Sequence, residues 1–397
     1  MTDSVPTYPF RLPDALSPPP EWARLRAGEP VVRVRLPSGD QALLLTRYDD
    51  VRQMLSDPRF TRHPDTADAA RVTANEEGGV FGEKLTEDVL HQRWRRVISR
   101  AFTTRRVQAI QPRIEETAES LVTAMIERGA PVDLLAVLGF PLPAAVICDQ
   151  LGVPGTDRDR FAYWSDTMLS MTRYTQAEID AAQAEFGEYF AKHIAAKRAD
   201  PGDDLISEFI RFTDEFDGLL TDEMLIATSQ GLLVAGYETT AGMIGKMVAH
   251  LLAEPDRWAR LLADPELVRT AVEEMLRFDP DPGFGIPRHL SADVEVGDHT
   301  LPAGTTVVCS IGAANRDDRT FTGADRVDLH RTPNQHLAFG IGPHSCVGQA
   351  LARVELQTVL RVLLRRLPTL ELAEPAAALA VREGLVVGGL TRVLVRW

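Results

Sequence analysis

Cys346 lies in Phe339-Gly340-Ile341-Gly342-Pro343-His344-Ser345-Cys346-Val347-Gly348, directly before the helical run that begins at Gln349. Two glycines and a proline make a stiff, exposed loop, and the helix start beside it offers unpaired N–H groups and a positive dipole end. Both favour thiolate over thiol. Cys148, in Ala-Ala-Val-Ile-Cys, and Cys309, in Thr-Val-Val-Cys, lie in apolar runs where a thiol behaves as a small core hydrophobe. Of the three cysteines, only Cys346 is set up for chemistry.

His344 and Cys346 are both zinc-ligand types, but structural zinc uses paired Cys-x-x-Cys or His spacings, and no second cysteine lies nearby. Gly340-x-Gly342 lacks the third glycine and the strand–turn–helix setting of a dinucleotide fingerprint. A single thiolate on a glycine loop suits the proximal ligand of a haem, where electron donation from sulfur favours O–O cleavage.

A second constellation is Ala235-Gly236-Tyr237-Glu238-Thr239-Thr240, inside the apolar stretch Ile226–Leu252. Small residues permit close packing, and a helical Thr can bond back to the preceding turn. An acid beside a hydroxyl in an apolar helix is nevertheless costly to bury without purpose, and the pair makes a sensible proton relay. Glu274 and Arg277, at i and i+3, read on their own as a surface ion pair. His91 and Arg95, at i and i+4, share one helix face. Arg93, Arg96 and Arg100 fall about 200°, 140° and 180° from His91, on the opposite face.

Elements must hold these groups in place. Val31–Leu36 and Gln41–Thr46 predict a hairpin across Pro-Ser-Gly-Asp. After Tyr48 helical spacing dominates: Val107–Ile126, Leu142–Leu151, Phe161–Met171, Ile179–Ala196 and Leu205–Phe212. Thr221 is the expected N-cap of the longest helix, and helices are expected at Pro255–Leu262 and Pro265–Phe278. Short strands are expected at Val294–Val296 and Thr306–Ser310, with a sheet edge near Thr391–Val395. The class is mainly α with a small β lobe.

The 397 residues show no repeat, low-complexity run or Gly/Ser linker, so a single domain over 1–397 is expected. Net charge of −14 disfavours nucleic acid as a partner, although His91–Arg106 forms a basic island suited to an acidic partner. The low cysteine count fits a reducing cytosol. The N-terminus carries no basic or apolar signal region, and Gln230, Glu238, Lys246 and His250 argue against a membrane span at Ile226–Leu252. A cytoplasmic protein without membrane contact is expected.

Phe339-Gly-x-Gly-x-His-x-Cys346-x-Gly348 resembles the haem loop of the cytochrome P450 superfamily, the haem-thiolate monooxygenases. The likeness runs from about Arg47 to the C-terminus, through Val146–Pro154, Asn315–Asp318 and Asn334–Phe339, and is to the soluble bacterial class that tailors actinobacterial natural products. It implies a triangular helical prism with buried haem b. Cys346 would ligate the iron, Phe339 would pack beside the sulfur within a loop shaped by Gly340 and Gly348, and His344, His91, Arg95 and Arg288 would meet the propionates. Bacterial relatives commonly read Pro-Pro-Glu-His where this chain has Glu87-Asp88-Val89-Leu90-His91.

By the same resemblance, Thr239 hydrogen-bonds the bound oxygen and Glu238 relays protons to it. Glu274, Arg277 and Arg326 form a structural Glu–Arg–Arg cluster. The implied activity is hydroxylation or epoxidation of a bulky apolar or aromatic secondary metabolite with O2. Electrons would come from a ferredoxin and its reductase, docking on the Arg93/Arg96/Arg100 face of a monomer. Oxidative C–C or C–N coupling of a peptide or indole-type substrate is the alternative, and a non-oxygenase haem-binding protein the more remote one. Val80, Phe81, Met168, Val234, Ala235, Phe284, Ile286 and Leu390 are the pocket candidates by family position.

Overall fold

The β-branched runs near the N-terminus form the expected hairpin, and the rest of the fold follows the helical periodicity closely. The computed structural model describes residues 5–61, 69–73, 88–215, 220–280 and 283–397. Its helices are α1 (Pro20–Ala27), α2 (Tyr48–Ser56), α3 (Asp88–Ala101), α4 (Thr104–Arg128), α5 (Pro141–Leu151), α6 (Arg158–Met168) and α7 (Gln176–Ala199). They continue as α8 (Leu205–Glu215), α9 (Asp222–Ala253), α10 (Pro255–Ala263), α11 (Val268–Phe278), α12 (Ile311–Ala314) and α13 (Gln349–Arg366). The strands are β1 (Val31–Arg35), β2 (Gln41–Leu45), β3 (Phe60–Thr61), β4 (Val132–Asp133) and β5 (Ile286–Leu290). Five more follow: β6 (Val294–Val296), β7 (His299–Leu301), β8 (Thr306–Cys309), β9 (Glu371–Leu372) and β10 (Leu394–Arg396).

The chain groups into two compact units, each assembled from separated stretches. One comprises Met1–Glu76, Lys246–Cys346 and Glu374–Thr391. Its sheet has the order β1-β2-β8-β5-β3, with β2 and β8 parallel and the other neighbours antiparallel. All four residues of β8 are buried, and β8 sets the register of β5 by pairing Ile286 with Cys309 and Arg288 with Val307. The core of this unit gathers Leu45, Val51, Met54, Leu290, Val307, Phe321 and Leu337. β5 lies outside the expected strands; its proline and arginine hide a strand signal.

The other unit comprises Glu77–Gly245, Val347–Ala373 and Arg392–Trp397. Here α4 packs along α13, and β4-β10-β9 form a small sheet. Glu119 of α4 pairs with both Arg365 and Arg366 of α13. α7 begins with a full capping box, Thr175 and Glu178 each closing on the other's backbone. Thr221 caps α9 as expected, accepting from the Met224 N–H at 3.3 Å. The helix expected at Pro265–Phe278 begins as a 3-10 turn, Pro265–Leu267, before α11. No helix among the described residues is long and apolar enough to cross a membrane.

Candidate active site

Backbone geometry builds the Cys346 loop. Leu337 N–H donates to Asn315 Oδ1 at 2.7 Å, and Gly340 N–H returns to the Leu337 carbonyl at 2.8 Å. Gly340 and Gly342 both have φ in the left-handed region, 64° and 77°. At Gly342 a Cβ would also come within 2.7 Å of the Leu55 carbonyl oxygen, so the chain can pass only as glycine. Cys346 N–H then donates to the Phe339 carbonyl at 2.7 Å, closing the loop. His336 braces it from behind, with Nε2 3.1 Å from Glu273 and its ring 5.9 Å from that of Phe339.

Cys346 is exposed, whereas Cys148 and Cys309 are buried. Burial pushes both buried thiols up to about 12, as the sequence contrast anticipates. In the same unit as Cys346, Arg288 is buried on β5. Its guanidinium donates to the adjacent Pro287 carbonyl at 2.8 Å, and among the described residues it has no carboxylate partner. Burial lowers its basicity. A buried cation without an anion is costly. The site therefore fits a group that brings its own carboxylate, as a haem brings propionates, and the exposed Cys346 sulfur on its loop is a soft ligand that would take iron.

The face division expected on α3 appears in the structure. His91 and Trp94 are buried and Arg95 is half-buried, while Arg93, Arg96 and Arg100 are exposed. The rings of His91 and Trp94 lie 5.5 Å apart, and Trp94 Nε1–H donates to Thr228 Oγ1 at 2.9 Å. Arg100 stands over the Phe212 ring at 5.5 Å.

Around the acid–hydroxyl pair, most of α9 is buried. Val234, Tyr237, Glu238 and Thr240 are inaccessible, yet Ala235 is exposed and Gly236 and Thr239 are partly so. These three lie at i, i+1 and i+4, an open stripe on a buried helix. At Gly236 a Cβ would meet Ile147 at 3.2 Å. Thr239 Oγ1 donates to the Ala235 carbonyl at 2.6 Å.

Sequence reasoning missed Glu355. It is 2% exposed on α13, hydrogen-bonded to Thr240, and burial pushes its carboxyl up to about 8 against the opposing pull of that bond. The available signal was its position, one turn from both Leu351 and Val359 on the apolar face of α13.

The Glu274 cluster forms with one correction. Glu274 and Arg277 are wholly buried and paired at 2.7 Å, not at the surface. The arginine that completes the cluster is Arg331, whose Nε lies 3.0 Å from Glu274. Arg326 is exposed and contributes only its backbone carbonyl, to Arg277 at 3.1 Å. Glu274 also accepts from the Asp328 N–H and from Asn334 Nδ2. The carboxylate thus staples the stretch leading into the Cys346 loop onto α11.

Of the pocket candidates, Val80 and Phe81 lie outside the described residues. Ala235 is open, and Met168 and Ile286 are half-buried. Val234, Phe284 and Leu390 are buried.

A family model described as Cytochrome P450 matches residues 154–374. Nocardicin C N-oxygenase of Nocardia uniformis subsp. tsuyamanensis is 44% identical over 393 residues, covering 98% of each chain. Mycinamicin IV hydroxylase/epoxidase of Micromonospora griseorubida is 42% identical over 401 residues, covering all of both. The solved structure of the putative thioether synthase SgvP, from the tailoring step of griseoviridin, has a TM-score of 0.94 at 41% identity, covering 99% of this chain and 100% of that one. The LnmA cytochrome P450 hydroxylase of the leinamycin pathway of Streptomyces atroolivaceus has a TM-score of 0.90 at 41% identity, with the same coverage. Fold, loop and whole-length likeness agree: the chain is a monooxygenase of the cytochrome P450 family.

Proposed function

We propose that this monooxygenase hydroxylates or epoxidises a bulky apolar or aromatic secondary metabolite. The observation that carries the reading is the open stripe Ala235–Gly236–Thr239, which gives a buried helix an accessible hydroxyl flanked by small residues and by Glu238. Haem b, when bound, supplies oxygen activation at a thiolate-ligated iron.

The chain's own groups do the rest. Cys346 would hold the iron, on a loop whose shape depends on Phe339, Gly340 and Gly348. His91 and Arg95 in one unit, and Arg288 and His344 in the other, are the groups that would hold propionates. Thr239 presents its oxygen as an acceptor, with its hydrogen committed to Ala235, and Glu238 passes a proton toward it. In one unit Ala235 and Met168 would be the groups accessible to substrate, with Val234 buried; in the other Ile286 would be, with Phe284 and Leu390 buried. Electrons arrive from a ferredoxin and its reductase at the exposed Arg93, Arg96 and Arg100, on a monomer in the cytoplasm.

The likeness to an N-oxygenase and to a putative thioether synthase favours a second reading, in which the same oxidant couples or oxidises heteroatoms. The reduced carbon-monoxide spectrum tests the haem-thiolate assignment; a band at the position of histidine-ligated haem would sink it. Product analysis under labelled O2 separates the outcomes. Label bonded to carbon supports hydroxylation or epoxidation, label bonded to nitrogen or sulfur supports heteroatom oxidation, and turnover without label supports coupling.

A further inference from the structure

Tyr8 precedes every element named above, yet it is 1% exposed and its hydroxyl donates to the Phe284 carbonyl at 2.5 Å. Its ring lies 5.3 Å from those of Phe284 and Phe10. Its backbone is fixed as well, with Tyr8 N–H on the Arg35 carbonyl and Arg35 N–H on the Pro6 carbonyl, both at 2.8 Å. Burial pushes the hydroxyl well above its ordinary range, so it remains a donor at working pH.

What it holds is a constrained turn. Gly285 has φ of 94°, and a Cβ there would stand 2.5 Å from the Cys309 carbonyl oxygen. The turn is therefore closed on one side by the β8 backbone and tied at Phe284 by Tyr8. Directly beyond it, Ile286 and Arg288 alternate onto one face of β5. One is half-open; the other is the buried guanidinium that has no carboxylate partner among the described residues.

We propose that Tyr8 is a positioning residue for the substrate wall, its hydroxyl fixing the Phe284–Gly285 turn and so the placement of Ile286 relative to bound ligand. The proposal rests on the functional reading above, in which Ile286 lines the pocket. A buried carbonyl must find a donor. Without the hydroxyl, the Phe284 carbonyl has to turn toward another one, and the start of β5 moves with it.

The test is Tyr8→Phe in the haem-loaded enzyme, titrated with imidazole and 4-phenylimidazole by Soret shift. Imidazole probes access to iron, while the phenyl ring also probes the wall. Imidazole affinity should stay within about twofold, and 4-phenylimidazole affinity should change by about fivefold or more. Amide exchange across Phe284–Arg288 should accelerate. Phe10→Leu, which alters the ring packing and keeps the hydroxyl, should leave the affinity ratio unchanged. A lower melting temperature with an unchanged ratio in Tyr8→Phe would overturn the proposal. Absence of any imidazole shift in the unaltered protein would overturn the haem reading and this proposal with it.

Discussion

Thr239 gives its hydroxyl hydrogen to the carbonyl of Ala235, at 2.6 Å, while its side chain remains on the open stripe of α9. The oxygen is thus an oriented acceptor. Thr239→Val keeps the shape and removes the hydroxyl. Reducing equivalents should still be consumed, with product per equivalent falling about tenfold and peroxide rising to match. Thr239→Ser should recover most of the coupling. Parallel assays of product, peroxide and NAD(P)H consumption check this.

Glu355 makes stability depend on pH in a stated direction. Its folded value, about 8, lies above the ordinary glutamate value, so between the two the folded chain holds a proton that the unfolded chain has released. The contribution is complete below the ordinary value and is lost as pH rises through about 8. Glu355→Gln mimics the neutral acid at every pH. The gap in Tm between pH 6 and pH 9 should therefore narrow by about 3 °C or more in the variant.

Arg331 and Arg326 should separate cleanly. Arg331→Ala leaves the wholly buried Glu274 short of a cation and should cost about 3 kcal/mol, with reduced haem content after purification. Arg326→Ala removes an exposed side chain and keeps the backbone carbonyl that Arg277 uses. Its stability and Soret absorbance should match the unaltered protein.

Charge reversal at Arg93 and Arg96 should slow reduction by ferredoxin at low salt about tenfold, with the difference shrinking as salt rises. Reduction by dithionite should be unaffected. Stopped-flow traces with the two reductants distinguish a docking defect from a damaged haem site.

Legibility from sequence followed periodicity. The long helices and the two faces of α3 could be read because burial there repeats every 3.6 residues. The Cys346 loop could be read because its glycines and proline constrain backbone whatever packs around them. Loops without periodicity were the failure: nothing in Ala-Asp-Arg-Val-Asp-Leu-His-Arg tells which arginine turns inward, and the structure selects Arg331. Glu274–Arg277 reads as a surface pair because i, i+3 spacing carries no record of burial. Glu355 escaped because a helical glutamate ordinarily faces water, and Tyr8 because an extended segment near a terminus has no pattern to read.

Cys148 and Cys309 are sealed in the interior with thiols pushed up to about 12, and Cys346 alone is open. The chain therefore presents a single alkylation target under native conditions. Iodoacetamide should add one label to protein freed of haem and none to the loaded enzyme. Intact mass would then report the fraction of molecules carrying cofactor, with no need for an extinction coefficient.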